Sequence, residues 1–134
     1  MIVADTDVMI DALRGTEPAR SRIDLELSTG HLATTVITAF ELLSGAPQST
    51  QRTRIENLLS AMALLPLESE AGEIAAGIRR RLESRGEGIG LADYLIAGIC
   101  LSRNAMLLTR NRGHFQRVQG LHLARLPESC DEAD

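Results

Sequence analysis

Lysine and tryptophan are absent from this sequence of 134 residues, and only Phe40, Tyr94 and Phe115 are aromatic. A core must therefore be built mainly from leucine, isoleucine, valine and alanine. Binding of single-stranded nucleic acid by base stacking is disfavoured, because that mode needs aromatic platforms. All fourteen basic residues are arginine.

Cysteine is scarce as well: Cys100 lies in an apolar helical pattern, and Cys130 lies in the polar C-terminal segment. Two isolated cysteines support neither a disulfide framework nor a thiolate metal site. We find no secretory signal at the N-terminus and no apolar run long enough to cross a bilayer. We therefore expect a cytoplasmic protein without a membrane partner.

The formal net charge of −4 argues weakly against nucleic-acid binding, but the charge is unevenly distributed. Residues 79–126 contain nine arginines and three acidic residues, whereas residues 127–134 contain four acidic residues and no basic one. The acidic end thus masks a basic C-terminal half. We predict one domain over residues 1–126, followed by a disordered acidic tail over 127–134.

Short apolar runs alternate with segments of helical periodicity along the chain. The runs predict strands over residues 2–4, 31–36, 63–67, 105–109 and 121–124. The periodic segments predict helices over residues 8–13, 17–28, 36–44, 49–62, 70–84 and 91–103, with a short turn or helix over 111–116. Gly45 followed by Pro47 predicts a left-handed cap at the end of the third helix. This alternation is typical of a parallel α/β sheet covered by helices on both faces, which binds ligands at the carboxyl ends of its strands.

Three carboxylates stand in apolar surroundings: Asp5 at the end of the first apolar run, Glu41 and Asp93. A charged group is costly to bury unless something compensates it. If the three converge, their mutual repulsion raises at least one pKa unless a cation is present. Oxygen ligands without histidine or cysteine favour Mg²⁺ or Mn²⁺ over zinc. Such ions activate water and neutralise phosphoryl charge, which indicates metal-dependent hydrolysis of a phosphodiester.

Each acidic residue also has an ordinary structural interpretation. Asp7 fits a helix N-cap or a first-turn acid, and Asp93 fits a first-turn acid favoured by the helix dipole. Asp11 fits a solvated helix face, and Glu41 could extend into solvent from the edge of an apolar stripe. A cluster is the stronger interpretation only because three of these acids lie on three different apolar elements.

Four sequence motifs, taken in order, resemble the PIN-domain ribonucleases and in particular the VapC-type toxins of toxin–antitoxin pairs. The motifs are Ile2–Thr6, Thr38–Gly45, Ile89–Ala97 and Leu107–Asn111 with His114–Phe115. The resemblance covers residues 1 to about 126. It implies a PIN-like three-layer sandwich with a central, mostly parallel five-stranded sheet. It also implies Mg²⁺-dependent or Mn²⁺-dependent RNA cleavage, a homodimer, and a VapB-type antitoxin that docks in a groove near the active site.

The resemblance implies a role for several residues of this sequence. Asp5, Glu41 and Asp93 would be the catalytic, metal-binding acids, supported by the hydroxyls of Thr6 and Thr109. The family often has a fourth acid after the fourth strand, where this chain offers Asn111, which could ligate or orient water, and His114. This difference leaves open whether one or two metals bind. The residues expected to meet RNA are Arg110, Arg112, His114 and Arg117.

Three alternatives remain open from the sequence alone. A haloacid-dehalogenase-like phosphohydrolase would use Asp5 as its nucleophile, although Met9 stands where that motif has threonine or valine. A phosphoacceptor receiver domain is disfavoured because it needs a lysine after the last core strand. A PIN-like domain could also bind RNA or a partner without cleaving anything.

Overall fold

Five parallel strands form the centre of the fold, in the spatial order β3–β2–β1–β4–β5. The computed structural model describes residues 1–126, and the predicted acidic tail over 127–134 lies outside the described residues. The strands are β1 (Ile2–Ala4), β2 (Leu32–Thr35), β3 (Ala63–Leu65), β4 (Met106–Leu108) and β5 (Leu123–Ala124). All four strand pairings are parallel. The predicted α/β fold with a central five-stranded sheet is confirmed.

Seven helices connect or flank the strands within the described residues: α1 (Thr6–Leu13), α2 (Ala19–Thr29), α3 (Val36–Ser44), α4 (Ser49–Ser60), α5 (Ser69–Ser84), α6 (Leu91–Ser102) and α7 (Arg112–Phe115). The predicted ends differ from the observed ones by at most two residues. No helix among residues 1–126 combines the length and apolarity needed to cross a membrane.

Neighbouring residues of each strand face opposite sides of the sheet, so the protein has two apolar cores. Val3 and Leu107 pack into a core on one side, together with α5 and α6. Ala4 and Leu108 pack into a second core on the other side, together with α1 and α2. Both faces of the sheet are covered, which gives three layers and explains why the strands are mostly apolar, with the buried Thr34 and Thr35 of β2 as the exceptions.

Gly45 ends α3 differently from the prediction. Its φ is −85° and its N–H still donates to the carbonyl of Glu41, so the predicted left-handed cap is wrong. A left-handed cap does occur at Gly30, where φ is 75° after α2. Cys100, predicted as a small core residue, is fully buried on α6.

Close packing of α5 against α6 fixes the helix that carries Asp93. The backbone of α6 approaches α5 at Gly98, where an added Cβ would collide with the carbonyl oxygen of Ala71 and lie 3.0 Å from the Cβ of Ala75. Only glycine fits at this crossing, because the nearest atom belongs to backbone that cannot rotate away.

We expect Gly98→Ala to lower the free energy of unfolding by about 1–3 kcal/mol, since overpacking forces the two helices apart. Gly72→Ala on α5 is the matched control, because nothing lies within 4 Å of an added Cβ there. Alanine at that helical position should be neutral or stabilising by up to about 1 kcal/mol. Urea unfolding followed by circular dichroism measures both variants, and equal midpoints for the two would contradict the close approach at Gly98.

Candidate active site

The candidate site lies where the direction of strand addition reverses. After β1 the chain adds β2 and β3 on one side, and then places β4 and β5 on the other side. Ligands bind at such a reversal, outside the carboxyl ends of the strands. Asp5 directly follows β1 and Thr109 directly follows β4, and the N–H of Asp5 donates to the carbonyl of Leu108 at 2.9 Å.

Asp5 is buried and held at both carboxylate oxygens. Its Oδ1 accepts from the N–H of Thr6 at 2.8 Å, which makes Asp5 the N-cap of α1, and its Oδ2 accepts from the hydroxyl of Thr109 at 2.7 Å. The side chain is only 5% exposed. Burial, followed by the charge of Asp7, raises the pKa of Asp5 to about 7, and the charge of Asp93 adds to that increase.

Asp7 reaches across to the segment after β4. Its Oδ2 accepts from the N–H of Arg110 at 3.1 Å and lies 3.5 Å from the hydroxyl of Thr109. Its Oδ1 is buried and has no hydrogen-bond partner among residues 1–126. Burial raises the pKa of Asp7 as well, although N–H groups of Val8 and Arg110 act against that increase.

Asp11 is buried, and the prediction that it lies on a solvated face is wrong. Its exposed fraction is 9%. Its Oδ2 lies 2.9 Å from Nε of Arg110, so an ion pair compensates the buried charge. The sequence could not indicate this pair, because the two residues are far apart along the chain.

Glu41 joins the site through a chain of hydroxyls. The hydroxyl of Thr6 donates to Oε1 of Glu41 at 2.7 Å and lies 3.0 Å from the hydroxyl of Thr38. Since the proton of Thr6 is directed to the carboxylate, Thr38 is the donor between the two threonines. Thr6 therefore orients Glu41, as the sequence predicted for a supporting hydroxyl.

Asp93 joins from the opposite side, in the first turn of α6. Its Oδ2 lies 3.4 Å from Nδ1 of His114, and that nitrogen lies 2.9 Å from Nδ2 of Asn111. The N–H of Asn111 donates to the Thr109 hydroxyl at 2.9 Å. Nδ1 of His114 can bond only one of these two neighbours, because a ring nitrogen has either a proton or a lone pair. Asn111 and His114, which this chain has where the resemblance implies a fourth acid, thus lie between Asp93 and the hydroxyl that holds Asp5.

The predicted RNA-binding arginines surround this edge but also contact the protein. Besides the ion pair of Arg110, Nη1 of Arg112 donates to the carbonyl of Ala124 at 3.2 Å. Nη1 of Arg117 donates to the carbonyls of Glu87 and Gly88 at 3.3 Å each. Each guanidinium has five N–H donors, so these contacts leave others for a phosphate.

The oxygen atoms at this edge of the sheet are of the type that binds a hard divalent cation, but they do not form a complete metal site. Among residues 1–126, no three His, Cys, Asp or Glu side chains are grouped so that they could hold a metal ion. The fit is chemical: the charges of Asp7 and Asp93 both raise the pKa of Asp5, and every candidate ligand is an oxygen. Oδ1 of Asp7 is buried and has no hydrogen-bond partner among residues 1–126.

Sequence reasoning missed the contact of Asp7 with Arg110 and the role of Thr38. Of the two interpretations of Asp7, the first-turn acid is confirmed and the N-cap is wrong, because Asp5 occupies the cap; Asp7 also accepts from the N–H of Arg110. The usable signal was the pair of carboxylates two residues apart at a strand end. Thr38 offered no signal, because a threonine in a helix is ordinary until its neighbour across the fold is known.

Comparisons with known proteins agree with this fold. The model of the PIN-domain family matches residues 2–121. Ribonuclease VapC10 of Mycobacterium tuberculosis is 32% identical over 121 residues, which cover 90% of each chain. The tRNA(fMet)-specific endonuclease VapC of Shigella flexneri is 31% identical over 121 residues, which cover 87% of this chain and 91% of that one. In the solved structure of DNA-bound VapBC from Salmonella typhimurium, a chain 28% identical superposes with a TM-score of 0.80, covering 92% of this chain and 96% of the other.

The chain therefore belongs to the PIN-domain family. Along nearly its whole length it is similar to proteins named VapC, which confirms the resemblance inferred from the four motifs.

We expect the stability of the cation-free protein to fall as pH rises, because the pKa of Asp5 is raised from 3.8 to about 7 on folding. Below pH 4 both the folded and the unfolded chain hold this proton. Between pH 4 and 7 the unfolded chain releases it while the folded chain keeps it, so the stabilisation is lost through this range. The expected loss is on the order of 2–4 kcal/mol.

Asp5→Asn cannot titrate and should show a flatter profile from pH 4 to 8 than the wild-type chain. Asp24→Asn, at an exposed position of α2, is the control and should retain the wild-type slope. Urea unfolding in EDTA at several pH values measures all three proteins. Parallel profiles for wild type and Asp5→Asn would show that Asp5 is ionised normally in the folded state.

Proposed function

We propose that this protein is the toxin of a toxin–antitoxin pair and acts as a Mg²⁺-dependent or Mn²⁺-dependent endoribonuclease. The observation that carries the proposal is the buried Asp5 carboxylate, next to Asp7 and Asp93, at the carboxyl edge of a PIN-domain sheet. Relatives named as a ribonuclease and a tRNA-specific endonuclease support RNA as the substrate class.

The proposed metal ligands are Asp5, Glu41 and Asp93. A bound Mg²⁺ or Mn²⁺ supplies Lewis-acid activation of water and neutralises charge on the scissile phosphate. Thr109 fixes the carboxylate plane of Asp5 by its 2.7 Å hydrogen bond, and Thr6 fixes that of Glu41 in the same way. Asn111, as the fourth catalytic residue, places its amide 2.9 Å from Nδ1 of His114, beside Asp93.

Phosphate groups of the RNA would be bound by guanidinium donors that the protein leaves unused. Arg112 and Arg117 lie in the segment that follows β4, and Nη1 of each donates to a backbone carbonyl. These hydrogen bonds hold the remaining N–H groups of both side chains in place near the edge. Guanidinium–phosphate hydrogen bonds are charge-assisted and can be bidentate. His114, whose side chain is 44% exposed, can also reach substrate.

The phosphohydrolase alternative, with Asp5 as nucleophile, is disfavoured by the match of residues 2–121 to the PIN-domain family. A PIN-like domain that binds RNA or a partner without cleavage remains the competing function. It differs from the proposal in one measurable respect, the absence of cleavage.

We infer that the partner is a VapB-type antitoxin, as in the VapBC complex of Salmonella typhimurium. A cavity of about 270 Å³ between α1, α3 and α4 supports this, because it combines apolar walls with Glu41 and Arg54 at its rim. It lies beside the candidate site and could take an apolar segment of such a partner. A homodimer stays a prediction from the resemblance, and a cytoplasmic location stays a prediction from the sequence.

We expect purified protein to cleave structured RNA only when Mg²⁺ or Mn²⁺ is present. Asp5→Asn and Asp93→Asn should each lower the cleavage rate on the order of 100-fold, since each removes charge that positions the reacting phosphate. Asp24→Asn on α2 is the control with the same chemical change at an exposed site. The measurement is the initial rate on end-labelled RNA, with EDTA as the metal-free arm.

Two results would count against the nuclease. Cleavage that persists in EDTA would remove the metal from the proposal, and cleavage unchanged by both substitutions would assign the activity to a contaminant. RNA binding without cleavage at any metal concentration would instead support the non-catalytic PIN-like domain.

A further inference from the structure

Asp7 is not needed to cap its helix. The N-cap of α1 is Asp5, whose Oδ1 accepts from the N–H of Thr6. Asp7 is the second residue of α1 and turns towards the segment after β4, where Oδ2 accepts from the N–H of Arg110. Its position in the first turn of α1 explains an acid here, but it does not explain the contact with Arg110.

The other oxygen of Asp7 is left without a partner. Oδ1 is buried and makes no hydrogen bond to any of residues 1–126. A buried, unsatisfied polar atom is uncommon in native proteins, and it is costly when it belongs to a charged group. A ligand that brings positive charge would remove this cost.

Charge is also unbalanced between Asp5 and Asp7. Both carboxylates face the hydroxyl of Thr109, Asp5 at 2.7 Å and Asp7 at 3.5 Å, but a hydroxyl has a single proton. The proton points to the nearer oxygen of Asp5. Asp7 is then left facing oxygen lone pairs of the same threonine.

Cationic side chains do not restore the balance within the described part of the chain. Arg110 directs its Nε to Asp11 at 2.9 Å, and neither Asp5 nor Asp7 forms a salt bridge among residues 1–126. Asn111, which follows β4 at this edge, is neutral and its amide contacts His114. The charge of Arg110 acts on Asp7 and lowers its pKa, but Arg110 forms no salt bridge to either carboxylate, so the adjacent carboxylates are only partly compensated.

We propose that Asp7 holds the divalent cation together with Asp5, and that it supplies the negative charge that Asn111 does not. This inference rests on the proposed metal-dependent function and assigns to it a residue outside the set Asp5, Glu41 and Asp93. The cation would supply positive charge to the carboxylates of Asp5 and Asp7. The N–H of Arg110 donates to Oδ2 of Asp7 and so holds its carboxylate in place.

Mn²⁺ binding to the full chain tests the inference apart from activity. Isothermal titration at one fixed pH, after metal removal with EDTA, gives the dissociation constant for wild type and each variant. Asp7→Asn keeps an oxygen that accepts from Arg110 but loses the charge, and should weaken Mn²⁺ binding at least about 10-fold. Asn111→Asp added to Asp7→Asn returns a carboxylate to the edge and should recover most of that loss.

Asp11→Asn is the matched control, because Asp11 lies on the same helix, is buried and contacts the same Arg110. It should bind Mn²⁺ within about twofold of wild type, as expected for a group outside the ligand set. Asp7→Ser repeats the loss of charge with a smaller oxygen acceptor, in case Asp7→Asn does not fold. Thermal unfolding in EDTA verifies that each variant is folded before titration.

Two patterns overturn the inference. If Asp7→Asn binds Mn²⁺ as wild type does while Asp5→Asn does not, Asp7 is only a structural tie and the proposed metal dependence stands. If Asp11→Asn loses as much affinity as Asp7→Asn, the effect is general electrostatics and not a ligand. Absence of Mn²⁺ binding by wild type removes both the inference and the metal from the proposed function.

Discussion

The hydrogen bond from the Thr109 hydroxyl to the Asp5 carboxylate is the contact on which the site depends. It joins the ends of β1 and β4, the two strands between which the sheet reverses its order of addition. The same hydroxyl accepts from the N–H of Asn111 and faces Asp7, so this one side chain contacts Asp5, Asp7 and Asn111. Because Thr109 is itself buried, its rotamer is held by packing and not by solvent.

The two halves of the site attach to this contact through neutral groups. Glu41 accepts from the hydroxyl of Thr6, and His114 lies between Asp93 and the amide of Asn111. Neutral hydrogen bonds can orient carboxylates without cancelling their charge. Arg110 pairs with Asp11 and Nη1 of Arg112 donates to a backbone carbonyl, so neither forms a salt bridge with Asp5 or Asp7 among residues 1–126.

The fold could be predicted from the sequence because its signals are local. Strands such as β1 and β4 are short apolar runs, and α5 shows its buried stripe through Ala71, Ala75, Ile78 and Leu82. The start of β5 was predicted two residues early, because the apolar Leu121 precedes the strand. Asp5 was identifiable from its position directly after β1, where an acid needs a reason to be buried.

The contacts across the fold could not be predicted, because they join residues distant in sequence. Asp11 was assigned to solvent from its helix position alone, whereas Arg110 lies beside it only after β4 is placed next to β1. The first-turn position of Asp7 was predictable, but its contact with Arg110 was not, since Arg110 follows the neighbouring strand β4. Both contacts concern electrostatic partners, which leave no periodic pattern in a sequence.

The burial of Asp5 shows that this edge is not arranged for stability alone. Its pKa is raised to about 7 first by burial and then by the charge of Asp7, so the ionised Asp5 lowers the stability of the fold above that pH. The close crossing of α5 and α6 at Gly98 holds Asp93 on a rigid element despite this repulsion. Packing in both apolar cores thus stabilises an arrangement of like charges, and the divalent cation proposed above would gain binding energy from neutralising them.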